Sequence, residues 1–311
     1  MSTCRKCHSE LAISDRFCPN CGTPVIEETF ICPNCQTEND MNALACVGCG
    51  TSFSIKTEKE PAATNNVFDQ TFQEGLEQEV ADRFSLFFEK RLKEEHHPKF
   101  HGAYIDRFFK SDFRTSADYR IQQLAEYIRE FSGDKKQVEK EKKELLNQSF
   151  EELIDYFIIR YCEDLNETIY PEAILKHQGV KKDKMNRGEL IFDYLDFENV
   201  DESVFTNFVS MPPKKLKNAA DSFLLPKKGD KLFFICDLSI LGNCKEGFAM
   251  TQEGLFWKMS LEEKQRVYYK KLKEIKREED WISINGIFFN AGKSLNLKLI
   301  RLLKKLMSLQ Q

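Results

Sequence analysis

No stretch of this 311-residue chain approaches the roughly 18 to 20 uninterrupted apolar residues that a membrane-spanning helix needs. The opening Met1-Ser2-Thr3-Cys4 leads into charged and polar residues without the apolar core of a secretory signal, so a cytoplasmic location is expected. The signatures G-x-S-x-G, H-E-x-x-H and G-x-G-x-x-G are missing, which removes the common hydrolase, zinc-protease and dinucleotide readings. A stretch from Gly286 to Ser294 imitates a phosphate-binding loop. It carries one residue too many between Gly286 and Gly292, and Ile287, Phe288 and Phe289 make a poor phosphate cradle. No catalytic residue and no small-molecule substrate is identified. What remains, 41% apolar and 31% charged, has the balance of a globular protein long enough for two or three domains.

Cysteine is the residue in excess, and it is concentrated. Eight of the eleven cysteines precede residue 50, as Cys4/Cys7, Cys18/Cys21, Cys32/Cys35 and Cys46/Cys49. In a reducing compartment, C-x-x-C pairs point to metal before disulfide. Two intervening residues let a tight turn aim both thiolates at one ion, and four thiolates complete a tetrahedral zinc site. Two structural zinc ions are therefore expected, held in all-thiolate sites with no open position for chemistry. Pair starts recur every 14 residues, which leaves open whether neighbouring knuckles share an ion or the first braces the third. The second and fourth knuckles both continue as Cys-Gly-Thr (Cys21-Gly22-Thr23 and Cys49-Gly50-Thr51), making the repeat unit 28 residues and favouring neighbours. With CPNCGT at 18–23, CPNCQT at 32–37 and CVGCGT at 46–51, the stretch resembles the double zinc ribbon family. That resemblance implies a module that binds protein or nucleic acid. Its net charge of −3 over residues 1–60 favours protein.

Residues 54–66 read as a flexible linker. From Val67 the apolar spacing turns helical: Leu76, Val80, Phe84, Phe87 and Phe88 make one stripe, and Ile121, Leu124, Ile128 and Phe131 another. Ser149 and Glu152 form a capping box ahead of Phe150, Ile154, Phe157 and Ile158. Residues 67–210 are thus expected to form an acidic helical bundle. His96, His97 and His101 surround Pro98 in a loop and read as ordinary surface or interface histidines, and Cys162 as a small buried hydrophobe.

Residues 61–211 carry a net charge of −10 and residues 212–311 one of +9. Such asymmetry predicts that the last part meets something anionic: a phospholipid surface, a nucleic acid, or the acidic middle of the chain itself. Short β-like runs punctuate it (KLFFIC, GFAMT, LFWKM, RVYY, WISIN, IFFN), with Asn285-Gly286 a strong hairpin signal. Ser260 and Glu263 are a rival signal for helix over 261–276. Ser294 can cap a last helix with Leu299, Leu302, Leu303 and Leu306 on one face and Lys298, Arg301, Lys304 and Lys305 elsewhere. GFAMTQEGLFWK, RVYYKKLKEI and WISINGIFFN before that helix resemble the bacterial pleckstrin-homology-like domain, which implies a binding barrel over 211–311. Lys245, Lys258, Lys270, Lys271 and Lys273 would then be its lipid-facing cations or a solvated face.

The expectation is a multidomain α+β protein: a double zinc ribbon over 1–53, the linker, a helical bundle, and a small antiparallel β-barrel closed by a C-terminal helix. Its expected function is that of a non-enzymatic adaptor for a protein partner, with an anionic membrane surface as a second partner. A nucleic-acid-associated regulator, or an enzyme whose site lies in the helical middle, are the rival readings.

Overall fold

The computed structural model describes residues 67–180 and 182–310, together with the short stretches 2–3, 10–11, 29–31, 37–40 and 47–48. The eight paired cysteines and the linker over 54–66 lie outside the described residues. Two compact units are present: Met1–Ala81 with Lys110–Glu130, and Asp82–Phe109 with Phe131–Gln311. The strands are β1 (Ser2–Thr3), β2 (Glu10–Leu11), β3 (Thr29–Ile31), β4 (Glu38–Asp40), β5 (Ser203–Phe205), β6 (Leu232–Asp237), β7 (Gly247–Thr251), β8 (Gly254–Lys258), β9 (Gln265–Tyr268), β10 (Ile275–Arg277), β11 (Ile282–Ile284) and β12 (Ile287–Phe289). The α-helices are α1 (Val67–Glu95), α2 (His101–Lys110), α3 (Phe113–Arg129), α4 (Lys135–Tyr161), α5 (Arg187–Leu195), α6 (Pro213–Ser222) and α7 (Lys293–Ser308).

In the first unit, β1 pairs antiparallel with β2, and β3 with β4. Ser2 lies opposite Leu11 and Thr3 opposite Glu10; 28 residues on, Phe30 lies opposite Asn39 and Ile31 opposite Glu38. The backbone thus repeats the sequence period in the same register. α3 buries Phe113, Ala117, Ile121, Leu124, Ala125 and Ile128, the stripe of one helical face.

The second unit holds most of the chain. α4 starts earlier than the Ser149 capping box predicts. Asp134 accepts hydrogen bonds from the backbone N–H groups of Lys136 and Gln137, both at 3.1 Å, and so sets the N-terminus there. Ser149 is a buried mid-helix residue, and the charged stretch before it is the first half of one 27-residue helix. Aromatic rings fill the space between α1, α2 and α4: Phe88 lies 5.4 Å from Phe108 and 5.6 Å from Phe157, and Phe84 lies 5.4 Å from Phe150.

β5 to β9 form one antiparallel sheet in sequence order, and β10 to β12 a second. All six expected strand runs are present in some length, joined by β5 and β10. The Asn285-Gly286 turn adopts positive φ at both positions (51° and 81°), as a tight hairpin between twisted strands requires. Residues 261–276 are not a helix. They form β9, a single 3-10 turn at Tyr269–Lys271, and β10, with the Tyr269 hydroxyl donating to the carbonyls of Thr251 and Gly254.

The expected closed barrel is not formed among the described residues. No strand of one sheet is hydrogen-bonded to a strand of the other, because the turn after β9 carries the chain away before β10 begins. The sheets meet instead through side chains. Trp257 Nε1 donates to the Phe288 carbonyl at 3.0 Å, and Phe289 packs 5.4 Å from Phe248 and 5.8 Å from Trp257. α7 follows, with Gly292 rather than Ser294 at its N-cap position. Its buried residues run from Leu295 to Leu303 without a break and include Lys298 and Arg301. A helix buried all round is a core element, not a surface one.

Candidate functional site

The expected zinc ligands Cys4, Cys7, Cys18, Cys21, Cys32, Cys35, Cys46 and Cys49 lie outside the described residues, and short strands on either side of them are described. β1 and β2 flank the first C-x-x-C pair in sequence, and β3 and β4 flank the third. A Cβ added to Gly48, between the last two cysteines, would collide with the side chain of Thr37, two residues past Cys35. A larger residue there would have to displace Thr37, so the approach sets Gly48 against the start of β4. The donor set, all thiolate in C-x-x-C pairs, fits zinc.

The second unit contains a charge network that the sequence reading located only in outline. Asp155, on α4, binds two guanidinium groups at one oxygen: Arg91 from α1 at 2.6 Å, and Arg301 from α7. Arg91 also reaches Glu95 at 2.7 Å, and Lys304 reaches Glu95 at 3.2 Å and Glu94 at 2.7 Å. Burial opposes ionisation of Glu95. Arg91, Lys304 and Arg301 outweigh it and hold the carboxyl well below the usual carboxylate range. The Arg301 guanidinium also lies 4.4 Å from the centre of the Tyr170 ring.

A second cluster surrounds Glu167. Its carboxylate accepts from Arg277 at 2.6 Å, from Lys293 at 3.1 Å and from the backbone N–H of His97 at 3.1 Å. Burial pushes this carboxyl up, but the hydrogen bonds from Arg277 and Lys293 bring it down to about 2. In a third place, the Lys298 ammonium donates to the carbonyls of Leu195 (3.1 Å) and Asp196 (3.3 Å) and faces the Asp196 carboxylate at 3.4 Å. It neutralises the C-terminal end of α5, although its own burial lowers its pKa.

These contacts decide what the basic residues of the last part do. Lys298, Arg301 and Lys304, expected away from the leucine face of α7, are turned inward onto acids of the helical region. Lys293 of the false phosphate loop begins α7 and is paired with Glu167. Lys245, Lys270, Lys271 and Lys273 stay exposed. Of the three histidines around Pro98, His96 departs from the surface expectation, while His97 and His101 are half-buried. His96 is buried 4.5 Å from the Tyr104 ring and burial holds it neutral, with a pKa pushed down to about 3. His97 Nδ1 accepts from the Lys99 N–H, and His101 contacts the His96 carbonyl. Cys162 is buried and its thiol is pushed up to about 12. Among the described residues no group of three or more His, Cys, Asp or Glu is placed to hold a metal ion.

A cleft of about 730 Å³ opens over the network, lined by Arg91, Glu95, Glu151, Lys304 and Lys305 among others. Burial raises Glu151 against the pull of Arg91 and Lys305. Among its lining residues, Glu94 and Glu95 balance Arg91 and Lys304. No helix of the described residues is long and apolar enough to cross a membrane.

No curated protein and no solved structure matches the chain. Residues 4–50 match the family model of the double zinc ribbon, so the segment with the repeated hairpins is similar to a known zinc-binding module.

Proposed function

We propose that this protein is a non-enzymatic adaptor, in which two structural zinc ions shape an N-terminal ribbon pair that captures a protein partner. The observation that carries the reading is the double zinc ribbon match over residues 4–50, together with hairpins that repeat in register every 28 residues. Neighbouring knuckles share an ion: Cys4, Cys7, Cys18 and Cys21 hold the first, and Cys32, Cys35, Cys46 and Cys49 the second. The Gly48–Thr37 approach supports this pairing over a cross-brace. Two facing antiparallel sheets followed by a helix support a pleckstrin-homology-like module in the last part, open where a barrel would close.

The adaptor reading favours protein over membrane as the partner of the second unit. Arg277, Lys298 and Arg301 are paired with acids of the same chain and turned away from any lipid surface, which leaves Lys245, Lys270, Lys271 and Lys273 among the exposed cations. The experiment is a pull-down comparing the zinc-loaded full chain with one lacking residues 1–60, with captured proteins identified by mass spectrometry. Partners lost with the ribbons, and two zinc ions per intact chain, are the expected result. Retention on DNA or RNA with a steep loss in salt would replace the adaptor by a nucleic-acid regulator.

A further inference from the structure

One edge of the five-stranded sheet is open. β9 pairs antiparallel with β8 and, among the described residues, with no other strand. The Tyr269 N–H donates to the Glu253 carbonyl at 3.0 Å, which fixes the phase of this ladder. Val267 and Gln265 then exchange hydrogen bonds with Leu255 and Trp257, the residues opposite them. The N–H and C=O groups of Arg266 and Tyr268 therefore point away from β8, and no described residue is hydrogen-bonded to them. At β12, an outer strand of the second sheet, the outward carbonyl of Phe288 is instead taken by Trp257 Nε1.

The open edge is also cationic. Residues 264–273 hold five cations and no acid, and Lys264, Arg266, Lys270 and Lys271 are exposed. Lys227, in the exposed segment after α6, brings its ammonium within 4.4 Å of the centre of the Tyr268 ring, and the Arg266 guanidinium lies 5.9 Å from it. No described carboxylate is ion-paired with Lys227, Lys264, Arg266, Lys270 or Lys271. Acids occur in the flanking turns: Glu262 and Glu263 before β9, and Glu253 with Asp230 beside the β7–β8 turn. Asp230 is occupied by the Thr251 hydroxyl at 2.8 Å and the Glu253 N–H at 3.2 Å. Unpaired main-chain groups on a strand edge are completed by an extended segment, which a bilayer or a nucleic acid does not supply. A second copy of β9 is excluded, because two such edges would set like charges face to face. The charge that keeps copies apart admits an acidic strand.

Building on the adaptor reading, we propose that β9 takes up an acidic, extended segment of a partner protein as an added antiparallel strand. Its carboxylates lie opposite Arg266 and Tyr268, within reach of Lys227. Residues directly opposite Arg266 and Tyr268 share their face of the sheet and exchange main-chain hydrogen bonds with them, while the residue between turns its own N–H outward.

Titrating the zinc-loaded full chain with acetyl-Glu-Val-Glu-Val-Glu-amide tests this, read by amide chemical shifts and hydrogen exchange. Saturable shifts are expected over residues 264–268, with exchange slowed about tenfold at the Arg266 and Tyr268 amides. The peptide N-methylated at its glutamates lacks the donors that reach β9 and should bind at least about tenfold more weakly; N-methylation at its valines should cost less than about threefold. Arg266→Glu combined with Lys227→Glu changes exposed side chains only. That chain should lose the acidic peptide by at least about tenfold and gain its lysine counterpart. The methylated peptides act on the wild-type chain, so the test stands even if the double variant fails to fold. No binding, shifts elsewhere, or equal binding of the parent and glutamate-methylated peptides would overturn the proposal. Phosphatidylserine vesicles or an oligouridylate that move these amides when the acidic peptide does not would overturn it in favour of a membrane or RNA. Neither probe nor readout involves the ribbons, so failure here leaves ribbon-dependent capture standing, and the reverse holds too.

Discussion

Glu167 shows how much one carboxylate can hold together. It receives the loop before α2 through the His97 N–H, β10 through Arg277, and the start of α7 through Lys293. Its side chain is only 6% exposed, so removing its charge leaves a buried guanidinium without its counter-ion. Glu167→Gln should therefore destabilise the fold by about 3 to 5 kcal/mol at neutral pH, measured by urea unfolding. The pH dependence follows from its lowered pKa. The ionised carboxylate is favoured in the folded state, so its contribution is complete above the ordinary value of 4.5 and is lost as pH falls toward about 2. The gap between wild type and variant should close across that window; a gap that stays constant into acid would show that Glu167 acts by shape and not by charge.

At the level of elements, legibility in the sequence followed the range of the interaction that fixes each one. The β11–β12 hairpin was readable because Asn285-Gly286 is a local signal for two successive positive φ angles, and those angles are present. Gly286→Val forces a β-branched residue into φ 81° and should cost about 1 to 2 kcal/mol in urea unfolding, with no loss from the same change at an extended position. The start of α4 was misread because two local caps compete, Asp134 and Ser149, and helix propagation through the charged stretch favours the earlier one. α7 was misread for a different reason. Lysine and arginine at helical spacing look like a solvated face, and only distant acids (Asp155 and Asp196, more than a hundred residues away) reverse that reading. The closed barrel failed in the same way, since strand count is local but closure is not.

Across the whole molecule, the coarse charge map proved more informative than any single motif. A region of net −10 followed by one of net +9 left self-association of the chain as one of three outcomes. The pairs Glu94–Lys304, Asp155–Arg301, Glu167–Arg277 and Asp196–Lys298 realise it within the second unit. The proposed zinc ribbons obey another logic. Residues 1–53 contain too few large apolar side chains to fold by burial, so on that proposal their folding free energy comes from metal. Structural zinc in all-thiolate sites contributes roughly 10 to 16 kcal/mol, whereas the second unit has a core of its own built on Phe84, Phe88, Phe150, Phe157 and α7. Chelation should therefore release two zinc ions per chain and abolish amide protection in residues 1–53, while α4 and α7 keep theirs in hydrogen exchange. If α7 lost protection together with the metal, zinc would be stabilising the whole chain, and the ribbons could not be an independently folding capture module.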